Sequence, residues 1–229
     1  MDTYRTEEEQ VEALKQWWKR NGTSTLTGIV LVLAVYFGWQ AWSKRQFAHA
    51  DAASINYQQL LLASLQVEQD PSDKRFATAA HLAGRLKEDF SGTVYAQYAG
   101  LLQARLLVQQ SKLDAAAAEL QWVLDTDPDP SIAQVAQLRL ARILHAKGDD
   151  QGALAIIDKG EHGEYAAAYD ELRGDIQYRA GQIEAARDSY GKALQSAKEG
   201  PAANPLVRMK LQALPGGAQA EDDDAVQDS

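Results

Sequence analysis

The side chains able to do chemistry are few and scattered. The four histidines, His49, His81, His145 and His162, are far apart, and none has a second histidine or a carboxylate at a zinc-site spacing. There is no cysteine, which removes disulfides, iron–sulfur ligation and thiol nucleophiles. Asp125, Asp127 and Asp129 alternate as in a calcium loop, but Pro128 and Pro130 interrupt them and no glutamate follows at the required spacing. Neither a Gly-x-Ser-x-Gly elbow nor a glycine-rich loop before lysine and serine is present. No catalytic, metal or cofactor site is expected. What remains is recognition by side chains set along a surface.

The elements that would carry such a surface are repeated. From Arg173 to Leu194 the residues Gly174, Gly181, Ala186, Tyr190 and Ala193 fall where a helix pair needs small residues at its crossing, a glycine in its turn and one bulky filler. One unit earlier, 33 residues back, Ala141, Gly148, Ala153 and Ile157 fill the same roles. Before that come Ala104, Ser111, Ala116, Leu120 and Val123, with Pro128 ending the unit. The pattern resembles a tetratricopeptide repeat over roughly Gln97 to Gly200, and an unrelated array of helical hairpins is the alternative. The match is imperfect: the family's tryptophan position holds Gly100, Gln137 and Asp170. The stretch from Phe47 to Phe90 looks like a degenerate fourth pair, broken at Asp70-Pro71-Ser72-Asp73.

In such arrays the first helices line a concave face. The repeat phase places Tyr98, Leu101 and Arg105 there, then Leu138, Arg142 and His145, then Glu171, Asp175 and Tyr178. Aromatic and aliphatic residues interleaved with charges suit an extended or helical polypeptide. Ordinary exposure or packing between repeats is the competing account of each residue.

Ahead of the repeats stands an uncharged stretch, Leu26 to Trp42. With Thr25 it makes about 27 Å of helix, close to a hydrocarbon core of about 30 Å. Leu26, Ile29, Val30, Leu31, Val32, Leu33, Val35 and Phe37 together favour insertion by about 2 to 5 kcal/mol. Trp17 and Trp18 on one side and Trp39 and Trp42 on the other suit the two interfaces. Ala48-His49-Ala50 has the form of a cleavage site, but the run is too long and rich in tryptophan for a signal peptide, so an uncleaved anchor is expected. Arg5, Lys15, Lys19 and Arg20 precede it against Lys44 and Arg45 after it, which favours an inside N-terminus. In a Gram-negative bacterium the remainder would then be periplasmic.

The layout that follows is all-α: a tail over 1–24 with a short amphipathic helix, a transmembrane helix over 25–42, a helical repeat domain over 43–214 and an acidic tail over 215–229. Asn21-Gly22-Thr23-Ser24 is expected to break the first helix and cap the second. The tail helix, with Val11, Leu14 and Trp18 on one face, is read as interfacial or as a docking element for a cytoplasmic partner. The final stretch, with Glu221 to Asp224, has almost nothing to bury and should be disordered. A net charge of −9 argues against nucleic acid and anionic surfaces as partners.

Taken with Glu7-Glu8-Glu9-Gln10-Val11-Glu12-Ala13-Leu14-Lys15-Gln16-Trp17-Trp18, the anchor and the divergent repeats resemble the YfgM family, ancillary subunits of the bacterial SecYEG translocon. The likeness runs over nearly the whole chain except the acidic tail. It implies an inner-membrane protein with a periplasmic repeat domain, associated with SecYEG and a PpiD-type chaperone, that assists exported polypeptides. Two other roles fit the same layout: a stress-response regulator acting on a cytoplasmic response regulator through the N-terminal tail, and a general envelope scaffold.

Overall fold

The computed structural model describes residues 7–160, 162–196 and 205–215, without the side chains of 7–9 and 13. The expectations for the first residues, for 197–204 and for nearly all of the acidic tail lie outside them. Every regular element among the described residues is helical: α1 (Glu7–Gln69), α2 (Asp73–Asp89), α3 (Val94–Gln109), α4 (Leu113–Asp125), α5 (Pro130–Lys147), α6 (Asp150–Lys159), a 3-10 turn (Gly163–Tyr165), α7 (Ala166–Arg179), α8 (Ile183–Ser196) and α9 (Pro205–Gln212). The chain divides into two compact units, Met1–Ala52 and Ala53–Ser229.

Within the first unit, Asn21 to Ser24 do not break the helix as the sequence suggested. The helix is continuous there, so Thr23 and Ser24 stand inside it and cap nothing, while the hydroxyl of Thr25 donates to the Asn21 carbonyl at 2.9 Å and that of Thr27 to the Thr23 carbonyl at 2.8 Å. Gly22 lies under the Trp18 ring, which a Cβ would meet at 3.3 Å. The segment from Leu26 to Trp42 presents its apolar side chains outward, with Val32 and Val35 among the most exposed. α1 is the one helix among the described residues that is long and apolar enough to cross a membrane. Residues 43–52 fall within this unit, and Ala53, fully buried, opens the second.

The second unit is built from antiparallel helix pairs. The end of α1 packs its buried Ala53, Leu60 and Val67 against α2 and α3, giving the degenerate first pair. α3 and α4 form the next, α5 and α6 the third, α7 and α8 the fourth. Small residues carry the crossings: Ala116, Ala141, Ala153, Ala186 and Ala193 are all fully buried. A Cβ on Gly174 would come within 2.5 Å of the Tyr190 ring, so α7 and α8 touch through that gap. Gly100, a mismatch to the repeat pattern in the sequence, does the same for α3 and α4, where a Cβ would lie 2.6 Å from Val123.

Three turns repeat the same geometry. Ser111, Gly148 and Gly181 are left-handed, with φ of 57°, 87° and 75°. In each, the following amide donates back five residues: Lys112 to Leu107, Asp149 to Leu144 and Gln182 to Gln177, all at 2.9 Å. This bond ends the first helix of each pair and turns the chain into the second. Glycine takes this conformation without cost, whereas Ser111 holds it against roughly 1 kcal/mol. α9 closes the array: Val207 and Leu214 are buried with Tyr190 and Ala193 of α8.

Candidate partner-binding face

The first helices α3, α5 and α7 bring the sequence candidates to three different settings. Leu101 and Leu138 are not on display. They are 9% and 5% exposed and belong to the cores between repeats, Leu101 with Ile132 and Ala136 of α5, Leu138 with Tyr169 and Leu172 of α7. Each following unit packs over that position, which the repeat phase alone does not reveal. Tyr98 is partly exposed and lies 5.8 Å from the ring of Tyr57, whose hydroxyl pKa is raised by burial and by Tyr98. Tyr178 is half exposed.

Glu171 and Asp175 are taken by the chain itself. Lys210 of α9 donates to Glu171 at 2.7 Å and to Asp175 at 2.8 Å, and the Tyr190 hydroxyl donates to Asp175 at 2.8 Å. Burial alone would lower the Lys210 ammonium pKa, but the hydrogen bonds to Asp175 and Glu171 hold it above the usual value. Burial, followed by the Asp175 hydrogen bond, pushes the Tyr190 hydroxyl strongly up. The closing helix therefore takes up Glu171 and Asp175 and leaves Tyr178 half exposed.

His145 enters a three-helix node. Its Nδ1 lies 2.7 Å from Asp150 of α6, and Arg179 of α7 pairs with the same carboxylate while donating to the His145 carbonyl at 2.8 Å. Burial opposes the Asp150 charge, yet the hydrogen bonds from His145 and Arg179 hold its carboxyl below the ordinary value. A carboxyl whose folded pKa is depressed stabilises the fold above its unfolded pKa, near 3.9, and loses that contribution as pH falls through the folded value. The stability difference between the native chain and Asp150→Asn should accordingly shrink below about pH 4. Melting curves across pH 3 to 7 measure this, and a constant difference would count against the node.

Arg105 and Arg142 share the remaining setting, an apolar groove between α3 and α5. It has a volume of about 380 Å³, with Ala104, Val108, Leu113, Leu120, Ile143 and Ala146 as its apolar lining. Arg105 pairs with Glu68, whereas Arg142 is exposed and makes no ion pair among the described residues. A third guanidinium, Arg139, also lines the groove and was missed by the repeat phase; its Nη1 donates to the Leu101 carbonyl at 3.2 Å. Its place three residues before Arg142 was the available signal. Burial lowers the Arg139 pKa, and the charges of Arg105 and Arg142 lower it further. Among the described residues no three histidine, aspartate or glutamate side chains are placed to hold a metal ion. The groove offers shape, apolar area and positive charge.

Together these features define a tetratricopeptide-type helical array carrying an apolar N-terminal helix. The family described as tetratricopeptide repeat-like domain matches residues 15–216. The chain is 30% identical over 218 residues to a protein of Escherichia coli K12 named ancillary SecYEG translocon subunit, covering 93% of this chain and 99% of the relative. A Haemophilus influenzae protein of the same name is 28% identical over 208 residues, 91% of this chain and 97% of the relative. One from Neisseria gonorrhoeae is 24% identical over 214 residues, 93% and 100%. The chain belongs to the YfgM family of ancillary translocon subunits.

Proposed function

We propose that this chain is a non-catalytic ancillary subunit of the SecYEG translocon. The helix over 25–42 holds it in the inner membrane with the N-terminus cytoplasmic. The repeat domain stands in the periplasm and takes hold of polypeptides there, both a PpiD-type chaperone and chains leaving the channel. The observation that carries this reading is similarity along 99% of a relative named for that role. The groove between α3 and α5 supports it by offering a surface suited to polypeptide and not to catalysis.

Site-specific photo-crosslinking in intact cells tests it. Probes belong at Tyr98, Val108 and Tyr178 on the repeats and at Trp39 in the anchor, all exposed. Adducts to channel subunits at Trp39, and to exported chains or the chaperone at the repeat positions, are the expected result. Adducts confined to unrelated envelope proteins would overturn the assignment.

A further inference from the structure

We propose that the groove between α3 and α5 selects polypeptide segments in which an acidic side chain stands beside an aliphatic one. This deepens, and rests on, the reading of the repeat domain as polypeptide-binding.

Charge and surface both point to that occupant. The chain carries a net charge of −9, yet three arginines, Arg105, Arg139 and Arg142, line one groove. Two of them are tethered, Arg105 by Glu68 and Arg139 by the Leu101 carbonyl, which fixes the groove's cationic side at little further entropic cost. Arg142 is left to engage a ligand. The three charges oppose one another around Arg139, and an entering carboxylate relieves that repulsion while gaining a charge-assisted hydrogen bond in a partly desolvated place. Val108 is exposed at this groove and Leu113 partly so, above the buried Ala104, Leu120 and Ile143, and this apolar surface offers nothing to a purely acidic segment, so an aliphatic neighbour is required to cover it. The chain's own residues 216–229 are acidic but contain no aliphatic residue larger than Val226, and they fit the requirement less well than an exogenous segment.

The test uses the full chain in phosphatidylcholine nanodiscs, with empty nanodiscs as control. Fluorescence anisotropy would follow labelled twelve-residue peptides that alternate Leu with Asp, Leu with Lys, or Ser with Asp. The Leu/Asp peptide is expected to bind at least tenfold more tightly than either other peptide. Arg142→Glu, an exposed change that keeps the helical circular dichroism, should weaken it by about tenfold. Binding of all three peptides within twofold, or an Arg142→Glu effect below twofold, would overturn the proposal. So would Leu/Asp binding that shows itself only after residues 216–229 are removed, since the groove would then belong to the chain's own tail. Loss of the peptide preference with channel crosslinks intact would remove this inference alone. Loss of the crosslinks with the preference intact would remove the translocon reading alone.

Discussion

Replacing Gly174 with leucine is expected to unfold the α7–α8 pair, at a cost of about 3 kcal/mol or more. A Cβ at this position already comes 2.5 Å and 2.6 Å from two carbons of the Tyr190 ring. The ring cannot withdraw easily. Tyr190 is 2% exposed, and its hydroxyl is held by Asp175, which also receives Lys210 from α9. The added side chain must therefore push the two helices apart. That would open the core containing Ala186, Ala193 and Val207 and release the closing helix. Because each repeat contacts chiefly its neighbours, the damage should concentrate at this end of the array. Hydrogen exchange on the full chain in detergent would show α7, α8 and α9 losing protection first, with a lowered melting midpoint by circular dichroism. Gly181→Ala is the informative control: its φ of 75° penalises a side chain, but nothing lies within 4 Å of the new Cβ. Only about 1 to 2 kcal/mol is expected there. Equal melting of Gly174→Leu and the native chain would show that the crossing is not tight.

That crossing was legible in the sequence because the pressure on it is local. Gly174, Ala186, Tyr190 and Ala193 sit at fixed spacings within one helix pair, and the left-handed turns at Gly148 and Gly181 declare themselves by residue type. Ser111 was recoverable only through the phase of the other two. Errors arose where the deciding contact comes from elsewhere in the chain. Leu101 and Leu138 share a helix face with Arg105 and Arg142, yet the following repeat covers the leucines and leaves the arginines lining a groove. Lys210 is 39 residues from Glu171 and 35 from Asp175, and no periodicity signals that a closing helix will neutralise them. Gly22 misled in the opposite direction. Asn-Gly-Thr-Ser composition reads as a break, but the Trp18 ring covers the glycine and the helix runs through unbroken. Turn propensity is a weak preference, and its helical context overrides it here.

The second large effect belongs to the apolar stretch of α1, the anchor of the proposed function. Leu31 and Val32 are 61% and 68% exposed, so the protein itself supplies no core for them. An uncharged run with that much side chain turned outward suits a surrounding apolar medium. An aspartate near the centre of such a helix costs about 2.5 to 3.5 kcal/mol on insertion, against a total gain of about 2 to 5 kcal/mol from the eight strongly apolar residues. Val32→Asp alone therefore brings insertion close to balance, and Leu31→Asp with Val32→Asp reverses it. Alkaline extraction of membranes should release roughly half of the single variant and nearly all of the double one, while the native chain stays with the pellet. Trp39→Ala should stay there too, because an interfacial ring adjusts the position of a helix more than its commitment to the bilayer. The repeat cores begin at Ala53 and contain none of these residues, so circular dichroism of the extracted double variant should still report a folded helical array. Retention of the double variant in the pellet would mean that something other than residues 25–42 holds the chain to the membrane.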